Sequence, residues 1–171
     1  MKLTVYRIVI AIFAVASLCF ITYNSLQTAE RSINMSNGVS EIIAEVVVPD
    51  FNKMEEAEKQ EIVAEISIPV REIAHFLEFC LLAFFVSLLM FTFPFQYGRY
   101  PIAMLITVLF GFAFALFDEW LQFFVSGRGT QWLDVWIDSL GVLCGVIMGL
   151  LTDRIGMCIA MRRRQRKAER R

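Results

Sequence analysis

The sequence has few of the residues that carry common site chemistry, with one histidine and four cysteines in 171 residues. The cysteines show no paired spacing, so the pattern excludes a disulfide framework or a zinc knuckle and predicts small buried thiols. No internal repeat is visible and no apolar segment is broken at its middle, which disfavours a transporter or a channel. The cysteines are Cys19, Cys80, Cys144 and Cys158.

Apolar residues, by contrast, are abundant: the chain is 57% hydrophobic with 16 phenylalanines, and its mean hydropathy is +0.60. A soluble domain of this composition would expose apolar surface to water, so a bilayer is the natural solvent. Because lipid cannot satisfy open backbone groups, each long apolar run must be a helix. The sequence therefore predicts an all-α integral membrane four-helix bundle. The predicted spans run from about Val5 to Leu26, Ile73 to Phe93, Tyr100 to Trp120 and Val135 to Leu151.

The first span also resembles a signal peptide, because Lys2 and Arg7 precede or open an apolar run. Ala14 and Ala16 could mimic a cleavage site, but they lie in the middle of the run. Cys19 follows a leucine, where a lipoprotein signal requires a small residue. We therefore expect an uncleaved membrane helix.

Charge predicts the orientation of the four spans. Basic residues lie before the first span, in the short loop between the second and third, and in a tail that starts at Arg154. These positions share one side of the membrane if the spans alternate, and the positive-inside rule makes that side cytoplasmic. Both termini are then cytoplasmic. The basic tail is expected to contact anionic lipid, and nothing in its pattern indicates nucleic-acid binding.

The acidic segment 27–70 lies on the opposite, extracytoplasmic side in this topology. Apolar residues recur at helical spacing from Val39 to Val47, until Pro49 stops the pattern. Asn52 and Glu55 resemble a capping box that opens a second short helix. We expect a small helical extracytoplasmic cap, and a lid over a site is the less favoured alternative. The chain then divides into a first transmembrane helix (1–26), the acidic segment (27–70), a core with three spans (71–153) and a basic cytoplasmic tail (154–171).

Ionisable residues near the outer ends of three spans form the main functional signal, because such groups are costly within a membrane. Arg71, His75 and Glu78 share one helix face, and the topology places all of these groups at one membrane depth. Two arginines face five carboxylates, so burial requires protonation, water or a bound cation. The other members of this set are Asp118, Glu119, Gln122, Arg128, Asp134 and Asp138.

Three interpretations remain open. The cluster is a structural ion-pair network, a divalent-cation site with or without His75, or a catalytic or substrate-binding site. The spacing fits no known metal-ligand pattern, and the cofactor stays unknown. In an enzyme, His75 or Glu119 would be the general acid or base, and Arg71 and Arg128 would bind an anionic head group. The catalytic candidates are His75, Glu78, Asp118 and Glu119; the substrate-binding candidates are Arg71, Gln122, Arg128, Asp134 and Asp138.

Small residues in the fourth span predict close helix packing. Gly141, Gly145 and Gly149 repeat every four residues and continue the face of Asp134 and Asp138. Their partner is a neighbouring helix or a second copy of the chain. We favour the neighbouring helix, because a four-helix bundle must pack something there.

In order along the chain, these residues resemble the VanZ-like family of bacterial membrane proteins. The resemblance rests on three blocks: Arg71 to Phe79, Asp118 to Val125 with Arg128, and Asp134 to Gly141 with Gly145. It covers roughly residues 70–150, with a weaker similarity at Ser25-Leu26-Gln27. Segment 28–69 carries no pattern that aligns.

The resemblance implies a multi-pass protein of the bacterial plasma membrane. The family's founding member is associated with low-level resistance to the glycopeptide antibiotic teicoplanin. We therefore expect a cell-envelope protein with a polar site at the outer leaflet, acting on lipid-linked or cell-wall precursors. The alternative is a non-enzymatic accessory subunit of an envelope complex, in which the polar cluster is structural.

Overall fold

The structure, a computed structural model, describes residues 2–95, 98–129 and 131–168, and these residues form five α-helices and no strand. All helices except the second are long and apolar enough to cross a membrane. The predicted all-helical fold with four membrane helices is confirmed to that extent. The helices are α1 (Lys2–Ser25), α2 (Ala29–Val47), α3 (Glu56–Met90), α4 (Arg99–Phe123) and α5 (Trp132–Ala168), with a short 3-10 turn at Phe51–Lys53.

Large apolar side chains cover the outside of the four long helices. Phe13, Leu109 and Leu143 are all about half exposed, as expected for side chains that contact lipid. The same geometry corrects the expectation for the cysteines, because Cys19 and Cys158 are exposed. In a membrane helix, an apolar neighbourhood does not imply burial inside the protein.

Helices α3 and α5 make the most extensive contact of the bundle, and glycines allow them to approach closely. A methyl group at Gly141 or Gly145 would overlap a backbone carbonyl of α3, that of Phe76 or Cys80. One at Gly149 would overlap the Ser87 hydroxyl. The glycine face therefore packs within the chain, against a neighbouring helix.

The second predicted span begins much earlier than expected. Helix α3 starts at Glu56 instead of near Ile73 and continues through Pro69. The predicted capping box is wrong: Asn52 lies in the 3-10 turn, and the helix begins after Glu55 without a side-chain cap. Proline removes one backbone hydrogen bond from the helix, yet α3 continues through it with a neighbouring helix packed alongside.

That neighbour is α2, which lies along the first half of α3. Ala44 of α2 and Phe51 of the 3-10 turn are buried between the two helices. Asp50 adopts a left-handed conformation with φ of 58° where the chain reverses. The first predicted short helix is therefore α2, and the second is the first half of the membrane helix α3. This first half, here called the projecting half of α3, extends beyond the other long helices together with α2.

Basic residues tie the helices at the opposite end of the bundle. The Arg7 guanidinium donates to the hydroxyl and the carbonyl of Thr92, at 2.9 and 2.7 Å. Arg154, from α5, stacks over the Tyr100 ring of α4 at 4.3 Å. Helix α5 continues well past Leu151 into the basic tail, while Arg170 and Arg171 lie outside the described residues.

Candidate functional site

The polar residues singled out in the sequence meet at the end of the bundle next to the α2–α3 pair. They come from the middle of α3, the end of α4, the loop after α4 and the start of α5, because antiparallel neighbours bring these positions to one level. Arg71, Glu78 and Arg128 are half-buried. The buried members are His75, Asp118, Glu119, Gln122, Asp134 and Asp138.

Asp118 is the best-satisfied carboxylate of the cluster. It is fully buried, and the Ser25 hydroxyl donates a hydrogen bond to one of its oxygens. The Gln122 side chain, one helical turn further along α4, donates to the other oxygen at 2.8 Å. Both bonds hold the carboxylate in one orientation.

Two further carboxylates accept one hydrogen bond each. The Asn24 amide donates to Glu78 at 2.7 Å, and the backbone N–H of Gln131 donates to Glu119 at 2.9 Å. Sequence reasoning missed Asn24 and Ser25 as site residues, since they read as the end of an apolar span. The signal that could have found them was the weak family similarity at Ser25.

Other polar atoms of the cluster are buried without a hydrogen-bond partner in the described part of the chain. Both oxygens of Asp138 are in this state, and so are one oxygen each of Glu78 and Glu119 and the Nδ1 atom of His75. His75 Nδ1 lies 3.8 Å from an Asp138 oxygen, beyond hydrogen-bond distance. The cluster is therefore not a closed hydrogen-bond network.

Two cavities open onto this cluster. The first, of about 240 Å³, lies between α1, α2 and α3, and the second, of about 110 Å³, lies against the loop between α4 and α5. Arg71, His75 and Arg128 line both. An apolar groove of about 490 Å³ between α1 and α3 shares Phe20 and Glu78 with the first cavity.

Charge is divided between the cavity walls and the interior behind them. Each cavity is lined by the two arginines and by one carboxylate, Glu78 in the first and Asp134 in the second. Burial and the neighbouring Arg71 charge lower the pKa of Arg128, yet an arginine stays protonated at neutral pH. The two cavities therefore share one pair of guanidinium groups, and each adds one carboxylate to its wall. The three carboxylates that line neither cavity are Asp118, Glu119 and Asp138.

A glycine turn positions Arg128. Gly127 has φ of 77°, a conformation that side chains disfavour, and an added Cβ would lie 3.1 Å from the Ala29 side chain. The Arg128 guanidinium donates to the carbonyl of Ser25 at 3.4 Å. The backbone N–H of Ala29 donates to the Ser126 carbonyl at 3.4 Å, so the loop also holds the start of α2.

Comparison with known proteins agrees with the resemblance and extends it. Neither the curated proteins nor the solved structures contain a significant match to this chain. The VanZ/LLP1 family model matches residues 9–153, which include α2 and most of α1 as well as the three polar blocks. The chain therefore belongs to the VanZ/LLP1 family.

Proposed function

We propose that this protein binds a lipid-linked envelope precursor with an anionic head group at the outer leaflet of the bacterial plasma membrane. The observation that carries the proposal is the junction of the first cavity, lined by two arginines, with an apolar groove on the lipid-facing side. Tolerance to teicoplanin would be one outcome of such binding.

The cavity suits a phosphate-bearing head group. Arg71 and Arg128 reach it from different elements, and planar guanidinium groups pair well with phosphate oxygens. Neither arginine lies within ion-pair distance of a carboxylate in the part of the chain that the structure describes. Their charges are therefore available to a ligand.

The groove suits the hydrocarbon part of the same ligand. Its wall is formed mainly by apolar side chains such as Phe13, Leu81 and Phe85, and it meets the cavity at Phe20. A lipid would thus place its chain along α1 and α3 and its head group beside Arg71. Burial of hydrocarbon and pairing of charge would both contribute to affinity.

The buried polar atoms that lack hydrogen-bond partners argue against a purely structural role for the cluster. A structural network gains stability only when its buried members are paired, and an unpaired buried carboxylate is strongly destabilising. Asp138 has no hydrogen-bond partner for either oxygen, as described above. An accessory-subunit role thus has less support than ligand binding.

Direct binding to purified protein tests the proposal. Full-length protein in lipid nanodiscs would be titrated with a polyprenyl diphosphate, with a neutral polyprenol as the apolar reference. We expect Arg71→Gln and Arg128→Gln each to weaken diphosphate binding by about 10- to 100-fold, because each loses a charge-assisted contact. The matched control is Arg31→Gln, since Arg31 is exposed on α2 and lines neither cavity.

Paired susceptibility to teicoplanin and vancomycin in a sensitive Gram-positive host then tests the cellular outcome. We expect the native chain and Arg31→Gln to raise teicoplanin tolerance selectively, and Arg128→Gln to lose the effect at equal membrane level. Equal diphosphate binding by all four proteins would refute the proposed site. Equal teicoplanin tolerance with the native chain and with Arg128→Gln would show that the proposed site is not responsible for the antibiotic effect.

A further inference from the structure

Behind the cavities, three potential metal ligands from three helices converge. His75 of α3, Asp118 of α4 and Asp138 of α5 each offer one ligand atom, and these atoms all lie within 4.8 Å of one another. One of these separations, from His75 Nδ1 to an Asp138 oxygen, is 3.8 Å. Ligand atoms on one metal ion at about 2.1 Å lie no more than about 4.2 Å apart. Small side-chain rotations would therefore close the set around an ion.

The state of Asp138 is the independent sign of a ligand. Its side chain is 1% exposed, and neither of its oxygens has a hydrogen-bond partner. His75 Nδ1, which points toward it, is also without a partner. Burying a charged carboxylate without a partner is costly, and buried charges are generally paired or bound to metals.

Asp118 already has the surroundings of a metal ligand. Ser25 and Gln122 each donate to one of its oxygens, which leaves a lone pair on each oxygen for a further bond. Metal-bound carboxylates and histidines are commonly oriented by such outer hydrogen bonds. The carboxylate is thus held toward the site before any ion binds.

We propose that His75, Asp118 and Asp138 bind one divalent transition-metal ion. The mixture of one imidazole and two carboxylates favours zinc or manganese, since magnesium and calcium prefer oxygen ligands alone. His75 also lines both cavities, so an ion has a route from the solvent-accessible side. The ion would offset part of the excess of five carboxylates over two arginines in the cluster.

Zinc titration of the full-length protein tests the site. The protein would carry a streptavidin-binding tag, because His75 is its only histidine and a polyhistidine tag would add competing ligands. After removal of metal with a chelator, calorimetry with Zn²⁺ should give one tight site per chain. Mn²⁺ should compete for this site more strongly than Mg²⁺.

Two ligand variants and one control make the result specific. We expect Asp138→Asn and His75→Gln each to weaken Zn²⁺ binding by at least about 10-fold, while Glu65→Gln, an exposed carboxylate of α3, keeps native affinity. Asp138→Asn is expected to fold, since it removes an unpaired buried charge. At the same Zn²⁺ concentration, the rise in Tm should be larger for the native protein and the control than for Asp138→Asn.

Three results of these zinc measurements would overturn the proposed metal site. Absence of a saturable Zn²⁺ site, or native affinity in both ligand variants, would overturn the proposal. A Tm that depends on pH but does not change with Zn²⁺ would also overturn it. In that case a protonated His75 would pair with Asp138 in place of a metal. None of these readouts uses a lipid, so their failure is distinguishable from failure of the proposed lipid binding.

Discussion

Two buried aspartates at the same level of the bundle differ in how they are satisfied. Asp118 accepts bonds from Ser25 and Gln122, whereas Asp138 accepts none. The sequence could predict that both lie in one cluster, because helical spacing and span order place charged residues on shared faces at one level. It could not predict which one is paired, since the donor Ser25 lies 93 residues away on another helix.

Removal of the Ser25 hydroxyl should therefore destabilise the fold. We expect Ser25→Ala to lower the free energy of unfolding by about 1–3 kcal/mol, because a fully buried carboxylate loses a charge-assisted donor. Thermal unfolding in detergent, followed by circular dichroism, measures the change. Ser17→Ala is the matched control on the same helix, because Ser17 donates only to the carbonyl of Phe13 within α1. Equal effects of the two substitutions would contradict this account of Asp118.

At the level of helices, the glycine spacing correctly predicted a packing face, whereas the start of α3 was predicted wrongly. The spacing of Gly141, Gly145 and Gly149 predicted a packing face, and that face lies against α3. Gly111 was not singled out, although a methyl group there would overlap Val142 across the α4–α5 contact. The start of α3 could not be predicted from the apolar run, which begins near Ile73, because the packing of α2 along the earlier part of the helix is a tertiary effect.

Alanine substitutions at two glycines of α5 distinguish the effect of helix packing from the effect of helix propensity. We expect Gly145→Ala to lower stability by about 1–3 kcal/mol, because the methyl group would force α3 and α5 apart. Gly156→Ala should be neutral or stabilising by up to about 1 kcal/mol, since its Cβ meets no atom within 4 Å. Chemical denaturation of both variants beside the native protein measures the difference. Two losses of the same size would show that α3 and α5 are not in close contact there.

For the whole molecule, the predicted orientation depends on charge alone. The end with Arg7 and Arg154 is expected in the cytoplasm, and the α2–α3 pair outside. The family match from residue 9 to residue 153 includes α2, although segment 28–69 carried no pattern that aligned with the family. Helix α2 is amphipathic and packs mainly on the projecting half of α3. Its residue pattern is therefore determined more by this packing than by the chemistry of the polar cluster.

Cysteine labelling in intact cells tests the orientation. In a background in which the four native cysteines are replaced, Glu41→Cys on the exposed surface of α2 should react with a membrane-impermeant maleimide. Arg163→Cys, exposed in the last part of α5, should react only after the membrane is permeabilised. The reverse pattern would place the polar cluster on the cytoplasmic side and exclude a ligand from the outer leaflet.

The unbroken course of α3 also restricts how its length can change in related chains. Each residue turns an α-helix by about 100°, so one residue inserted before Val70 would rotate the projecting half relative to the face that bears Arg71 and His75. Met35 and Val39 of α2, which line the first cavity beside that face, would be carried out of phase with it. Seven inserted residues would restore the phase to within about 20°. Length variation in this part of α3 should therefore occur in near-whole helical turns.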